Sequence, residues 1–501
     1  MKLKQYLIPF IFGFIGIFAF SPFSIKPLII LSYAYLIKEI VYKENSSLIK
    51  IIFWSFGHWG FGMSWLIVSV YYYGETSILV SLIIFILLII ILTAIFSMPL
   101  SLLRYRLFSK NNLSPYIELL YISSILILSE LSRYYLLNGV PWLIPGSVFL
   151  DTYIQYIYTI LGVAGGSMLI YLIASLMALY WVTNKNISYL IFLGSLLLFI
   201  PATVEKIGDK RDVYVSIIQP SSDPFLKYQD GYKYIIEKNI LELIDRSSPK
   251  SQIIVMPEAE LPYSMQSLDF NNFVNNLDTS NKEFISGVWN YDDGNLYNSL
   301  INLNTGKNYN KTHLVPFGEY IPFIASLRGI INFFDMPMSN VKHGKKNQQN
   351  IAVFNDKSLN FAPLICFDIA FGETVRKSNK SSDFIINISN DTWFGNSIGP
   401  YHHLDITRIR AIENNKWIIR STNDGFSAII TNNGTIVDKL DKGITGVINN
   451  GIDIKKERSI YNIFGYSIPY IFSILIVLIS AIIFKCRKTH IQFYFYYFHF
   501  K

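Results

Sequence analysis

Eight apolar stretches, seven before residue 205 and one near the end, constrain this sequence more than any other feature. Crossing a bilayer as a helix takes about 20 mostly apolar residues. The candidates run over 6–21, 27–42, 51–73, 78–100, 117–135, 157–181 and 188–204, with the last at 466–484. Between the seventh and the eighth the composition is that of an ordinary soluble domain. The chain therefore reads as three regions: a membrane domain of seven transmembrane helices at 1–204, a folded insert at 205–462, and a last helix with a tail at 463–501. Over all 501 residues, charged side chains reach only 16%, against about 25% in soluble proteins. The deficit lies in the apolar stretches.

Charge sets the expected topology. The formal net charge is +8, but Lys and Arg form no dense stripe with aromatics between them, so nucleic acid is not the expected partner. They sit between apolar runs, as in cytoplasmic loops. With Lys2 and Lys4 cytoplasmic, every second loop should be basic. Lys43 and Lys50, then Arg104, Arg106 and Lys110, then Lys185, then Lys485, Arg487 and Lys488 fall in those places. The alternate loops hold little beyond Lys26. Both termini are therefore expected inside a multi-pass cell-membrane protein, and residues 205–462 outside the cytoplasm. A cleaved leader is the rival reading of the first stretch. Pro22 follows its only small-residue cleavage candidate and disfavours it.

Two membrane stretches are specialised. Gly57, Gly60 and Gly62 lie among aromatics and permit close helix contact. Glu130 and Arg133 share a helix face, and charges within a span face the bundle or a cavity.

The insert reads as α/β. "VYVSIIQP", "QIIVMPE", "EFISGVW", "LNFAPLIC", "DFIINIS" and "FSAIITN" are short apolar runs rich in β-branched residues, the first two ended by Pro220 and Pro257. Helical patterns at 229–247 and 401–415 lie between them, which argues for a layered α/β domain. Cys366 and Cys486 are the two cysteines, and they fall on opposite sides of the expected membrane, so no disulfide is expected. No Cys/His group has zinc spacing, and His402 and His403 are adjacent, a poor pair for one metal. No cofactor is called for.

Glu258, Lys311 and Cys366 each stand at or just beyond a strand end. Singly, each has a plain reading as a surface charge or an inert core thiol. Together they form a chemical set. A cation and a helix N-terminus make a thiol a better nucleophile. A carboxylate can take and return its proton. A lysine can hold a tetrahedral oxyanion.

The blocks "MPEAELP", "NKTHLVPFGEY" and "LICFDIAFGE" resemble the three signature blocks of the nitrilase, or carbon–nitrogen hydrolase, superfamily. That resemblance implies an αββα sandwich with Glu258 as general base, Lys311 as oxyanion stabiliser and Cys366 as nucleophile. Such a domain between membrane helices, with "GFGMSWL", "NGVPWLIPG", "ISNDTWFGNSIGPYHH" and "RSTNDG", is similar to the apolipoprotein N-acyltransferase family over almost the whole chain. The similarity implies a bacterial inner-membrane enzyme with a periplasmic catalytic domain. It would take an acyl chain from a membrane phospholipid, hold it as a thioester on Cys366, and pass it to the N-terminal amine of diacylglyceryl-cysteine apolipoproteins. It also implies Glu319 as an accessory acid. Phe367 and Asp368 stand where the family often has Tyr and Glu, and Tyr228 where it commonly has Trp. Asp368 is expected to be accessory, and Tyr228, Phe367 and Trp393 to contact substrate. A monomer is expected.

Residues 321–338, unusually apolar for a soluble domain, are read as either a lid that guides acyl chains or a core helix. Two rival functions remain open on sequence alone: a membrane-anchored amidase acting on small C–N substrates, and a non-catalytic membrane scaffold.

Overall fold

The structure is a computed structural model of the chain. It describes all residues except 1–3, 43–47, 74–75, 108–114, 136–138, 204–207, 209, 228, 317–318, 320–340, 346–347, 349, 355–358 and 499–501. Tyr228 and the apolar segment 321–338 therefore lie outside the described residues. The chain divides into two compact units. One contains Met1–Ser64, Ile84–Ala202 and Phe464–Lys501, the other Trp65–Ile83 and Thr203–Ile463.

The helices before the insert are α1 (Lys4–Ile15), α2 (Leu28–Ile37), α3 (Leu48–Gly62), α4 (Trp65–Val68), α5 (Ile78–Leu107), α6 (Pro115–Tyr135), α7 (Ile157–Thr183) and α8 (Lys185–Ser195). Among the described residues, 78–101 and 153–183 are long and apolar enough to cross a membrane. Shorter apolar helices cover 5–19, 185–199 and 467–483.

Two expected spans differ from the sequence reading. Residues 51–73 do not make one helix. α3 stops at Gly62, α4 restarts at Trp65, and Ser69–Tyr73 is wound as a π-helix. Contacts just beyond the break explain it: Trp65 packs edge-on against Phe394 at 4.9 Å, and Ser69 Oγ donates to the Trp393 carbonyl at 2.7 Å. The stretch expected at 188–204 starts earlier, at Lys185. There the Asn184 side-chain oxygen accepts from the Asn186 and Ile187 N–H groups, as a helix N-cap does.

Close contact at Gly57 holds. A Cβ there would stand 2.2 Å from the Phe10 carbonyl oxygen of α1, and one on Gly13 would stand 2.0 Å from the Trp54 oxygen. Glu130 and Arg133 are fully buried. Glu130 accepts from the Tyr171 hydroxyl at 2.8 Å. Arg133 lies 4.4 Å over the Trp59 ring and donates to the Trp142 carbonyl.

The insert forms two six-stranded sheets among the described residues. The first contains β1 (Val213–Gln219), β2 (Ile253–Val255), β3 (Glu283–Asp292), β4 (Asn295–Asn302), β5 (Asn308–Asn310) and β12 (Gly446–Ile452), in the order β12-β1-β2-β3-β4-β5. The second contains β6 (Ile351–Val353), β7 (Leu359–Ile365), β8 (Phe384–Ser389), β9 (Ile418–Thr422), β10 (Ser427–Ile430) and β11 (Ile436–Leu440), in the order β11-β10-β9-β8-β7-β6. Each sheet has three parallel central strands, β1-β2-β3 and β7-β8-β9. Antiparallel strands flank them.

Strand alternation sorts the side chains into layers. Val215, Ile217, Val255, Ile285, Phe361, Ile365, Ile386, Ile388 and Ile419 fill the space between the sheets. On the outer face of the first sheet, Ile218 and Ile254 pack under α9 (Asp230–Asp245) and α10 (Leu268–Asn275) through Ile240, Leu243 and Phe273. On the outer face of the second, Leu364 and Ile385 pack under α11 (Gly372–Ser378) and α12 (Gly399–Asn414) through Val375, Leu404 and Ala411. The insert is an αββα sandwich. It places the C-terminal ends of β2 and β7, which lead to Glu258 and Cys366, in its two central sheets.

Candidate active site

Glu258 follows β2 through Met256 and Pro257. Its turn lies on β3 because Gly287 has no side chain: a Cβ there would stand 2.6 Å from Glu258 Cα and 2.4 Å from the Ala259 nitrogen. Lys311 follows β5, and its N–H donates to the Asn298 carbonyl at 2.8 Å. Cys366 follows β7 and opens a tight helical turn with φ +45°. That left-handed conformation is uncommon for a non-glycine residue and persists where surrounding structure enforces it.

Glu258, Lys311 and Cys366 are all buried. Lys311 Nζ donates to Glu258 Oε1 at 2.8 Å and to Glu319 Oε1 at 3.0 Å. Asn298 Nδ2 duplicates the bridge, reaching Glu258 Oε1 at 2.7 Å and Glu319 Oε1 at 3.0 Å. The other oxygens are also taken: Asn390 N–H donates to Glu258 Oε2 at 2.9 Å, and Val315 N–H to Glu319 Oε2 at 2.9 Å. The structure thus brings Glu319 onto Lys311.

The electrostatics follow from burial and these partners. Burial pushes the Cys366 thiol well above the usual range, and the Glu258 charge adds to this. Lys311 and a hydrogen bond with Ser389 act the other way. Burial works against the charge on Lys311, but Glu258 and Glu319 outweigh it and hold the ammonium firmly protonated.

Asp368 is fully buried and acts as a brace. It accepts from the His313 N–H at 2.7 Å, the Tyr309 hydroxyl at 3.0 Å and the Ile365 N–H at 3.2 Å. It ties the Lys311 loop to the last residue before Cys366. Burial, only partly offset by these donors and by Lys311, pushes its carboxyl up to about 7. The shorter Asp reaches all three donors, so the missing methylene leaves no donor of this set unmet. Phe367 is buried, with its ring edge-on to Phe371 at 5.1 Å. Trp393 is half-buried, held through its carbonyl by Ser69.

A second group behind Cys366 carried no assigned role in the sequence reading. Asp391, His403 and Arg420 are buried together. Arg420 Nη2 donates to Asp391 Oδ2 at 2.8 Å, and Ser389 Oγ donates to Asp391 Oδ1 at 2.8 Å. His403 Nδ1 lies 2.9 Å from Asp391 Oδ1, and its Nε2 lies 3.3 Å from the Cys366 carbonyl oxygen. Burial raises the Asp391 pKa, but Arg420 and His403 more than reverse this and keep it ionised. Cys366, Asp391 and His403 offer donor atoms within 4.8 Å of one another. Both Asp391 oxygens are already engaged, and the Arg420 charge sits on the group, so it does not suit a metal ion. The motifs "ISNDTWFGNSIGPYHH" and "RSTNDG" carried these residues; their meeting depends on β8, α12 and β9 converging.

A double-layered sandwich with a Glu–Lys–Cys set at the ends of its central strands defines a carbon–nitrogen-hydrolase-type domain. In agreement, the family described as carbon-nitrogen hydrolase matches residues 236–462, and the apolipoprotein N-acyltransferase N-terminal domain matches residues 12–176. An apolipoprotein N-acyltransferase of Haemophilus influenzae is 31% identical, aligning 98% of this chain with 97% of its own. One of Pasteurella multocida is 30% identical over 96% of this chain and 95% of its own. A solved carbon–nitrogen hydrolase superfamily protein of Xanthomonas campestris covers 49% of this chain and 91% of its own, at 17% identity and a TM-score of 0.37. The chain belongs to the apolipoprotein N-acyltransferase family.

Proposed function

We propose that this enzyme moves an acyl chain from a membrane phospholipid to the N-terminal amine of a diacylglyceryl-cysteine lipoprotein, by way of a thioester on Cys366. The observation that carries the reading is Lys311 held between Glu258 and Glu319 beside a buried thiol, in a chain that aligns end to end with acyltransferases of that name.

Glu258 takes the Cys366 proton as the sulfur attacks the phospholipid ester carbonyl. Lys311 neutralises the oxyanion that forms, where a preorganised donor in a buried site is worth most. The intermediate collapses, the C–O bond breaks, and the lysophospholipid leaves with the proton from Glu258. The lipoprotein amine then attacks the thioester, Glu258 accepts the amine proton, and as the C–S bond breaks Glu258 passes that proton to the leaving sulfur, which restores the thiol and the carboxylate. This is a double-displacement sequence with a covalent intermediate. Phe367, Trp393 and Tyr228 are our candidates for contacts with the acyl chains or lipid anchors.

The membrane half follows from two lipid-anchored substrates. We place eight spans at the apolar stretches, the third of them broken after Gly62, with both termini in the cytoplasm and 205–462 outside it in the bacterial inner membrane, on the alternation of Lys and Arg along the loops. The test is intact-mass detection of acyl-Cys366 after incubation with phospholipid alone. The adduct should form in the native protein, and Cys366→Ala and Glu258→Gln should each abolish or sharply slow it. An unmodified native protein, with activity only on small amides, would overturn the reading.

A further inference from the structure

We propose that His403 is the positioning residue of Cys366: its Nε2–H holds the nucleophile's own carbonyl, and Asp391 and Arg420 hold the ring. This extends the acyltransferase reading and rests on it for its substrate, not for its geometry.

The argument starts from the backbone. Cys366 has φ +45°, a conformation that L side chains rarely adopt and that reverts unless something holds it. The Ile365 N–H, on one side of the turn, goes to Asp368. On the other side, the Cys366 carbonyl faces His403 Nε2 at 3.3 Å. A carbonyl can only accept, so the ring must carry its proton on Nε2 for this contact to be a bond. The opposite neutral tautomer would set two lone pairs against each other.

The ring is held on its other side as well. Nδ1 faces Asp391 Oδ1 at 2.9 Å and Arg420 Nη2 at 3.1 Å. A neutral ring with Nε2–H accepts from Arg420 there, with its Nδ1 lone pair left facing the Asp391 oxygen; a protonated ring donates to Asp391 and to the Cys366 carbonyl together. In both states Nε2 keeps its proton and donates it to the Cys366 carbonyl. Arg420 is itself fixed by Asn387, Thr407 and the Phe426 carbonyl. Phe394 packs edge-on to the imidazole at 5.8 Å. All three members are at most 1% exposed, so water does not compete for these bonds. If the hold on its carbonyl is lost, Cys366 can swing out of the left-handed region, and Sγ then moves away from Glu258 and Lys311. A misplacement near 1 Å costs about 100-fold in rate.

The experiment uses the full chain in phospholipid–detergent micelles, with Cys486→Ser so that one thiol remains to be read. His403→Gln keeps an N–H at the Nε2 position. His403→Asn keeps polar contact with Asp391 and Arg420 but falls short of the Cys366 carbonyl. Two rates are measured across pH: iodoacetamide alkylation of Cys366, and single-turnover acylation with its kcat and KM separated. His403→Asn should lower kcat and alkylation by about 10- to 100-fold with KM little changed, and His403→Gln should recover both to within about fivefold of native. A purely structural role would affect the two variants alike. Equal rates in the two variants, whether both native-like or both lost, would overturn the proposal. If the native protein is alkylated normally but never acylated by phospholipid, the acyltransferase reading fails, and the alkylation comparison still decides the role of His403.

Discussion

Replacing Lys311 with Met removes a charge and almost no volume, and the structure fixes what that should do. Glu258 Oε1 and Glu319 Oε1 lie 2.8 and 3.0 Å from Nζ. They are therefore no farther apart than the sum of those distances, about 5.8 Å. Two unit charges at that separation repel by about 3 kcal/mol at an effective dielectric of 20. That agrees with the roughly 3–5 kcal/mol lost when one partner of a buried ion pair is removed. With Lys311 as the oxyanion donor proposed above, its loss should separately slow acylation by about 100- to 1,000-fold. The two effects come apart in the double variant. Lys311→Met with Glu319→Gln removes one of the facing charges, so most of the stability should return while acylation stays slow. The assays are thermal unfolding in detergent and single-turnover formation of acyl-Cys366. Two results would refute the reasoning: a double variant no more stable than Lys311→Met, or Lys311→Met acylating within tenfold of native.

Asp368→Asn should leave one of the His313 and Ile365 N–H groups facing an amide N–H2, a loss of about 1–3 kcal/mol, read as a lower unfolding temperature and slower Cys366 alkylation. Lys227→Met should strand the buried Glu260 carboxylate, which Lys227 contacts at 3.2 Å, at about 3–5 kcal/mol. Adding Glu260→Gln should recover most of that loss, because the amide still reaches Ser222; a double variant as unstable as the single one would show that the pair is not coupled. Gly57→Ala puts a methyl carbon 2.2 Å from the Phe10 carbonyl, so the yield of folded protein from membranes should fall sharply, whereas Gly60→Ala, with 3.7 Å to Ile89, should be tolerated.

What the sequence shows of this fold depends on burial. β1, β2, β3, β7 and β8 are central parallel strands covered on both faces, so they read as unbroken apolar runs. The flanking strand β11, "IVDKL", has no fully buried residue, and its pattern resembles a loop. Glu258, Lys311 and Cys366 stand out in the sequence because each follows a strand within a recognisable block. Asp368 was legible as a residue but not as a brace, because its donors come from Tyr309 and His313, more than fifty positions away. The break after Gly62 was invisible for a similar reason: apolar periodicity continues through it, and only the contacts of Trp65 and Ser69 reveal it.

The resting state of the thiol connects these features. Cys366 is buried beside a carboxylate, and both facts favour the neutral S–H over the thiolate. Lys311 does not simply offset this, because its ammonium is already shared between Glu258 and Glu319. A pre-ionised nucleophile would be reactive at all times, including toward oxidants, since the thiolate is the oxidisable form. A protonated thiol is inert until a carbonyl arrives. In the mechanism proposed above, its carbon then accepts the sulfur lone pair while Glu258 takes the proton, and charge moves from sulfur to the oxyanion beside Lys311 in one step. On this view the second carboxylate, Glu319, keeps Lys311 charged and in place without adding a base. Glu319→Gln should therefore lower the rate of acylation while leaving the shape of its pH profile governed by Glu258 and Cys366. A lost or displaced acidic limb in that profile would show that Glu319 itself carries the proton.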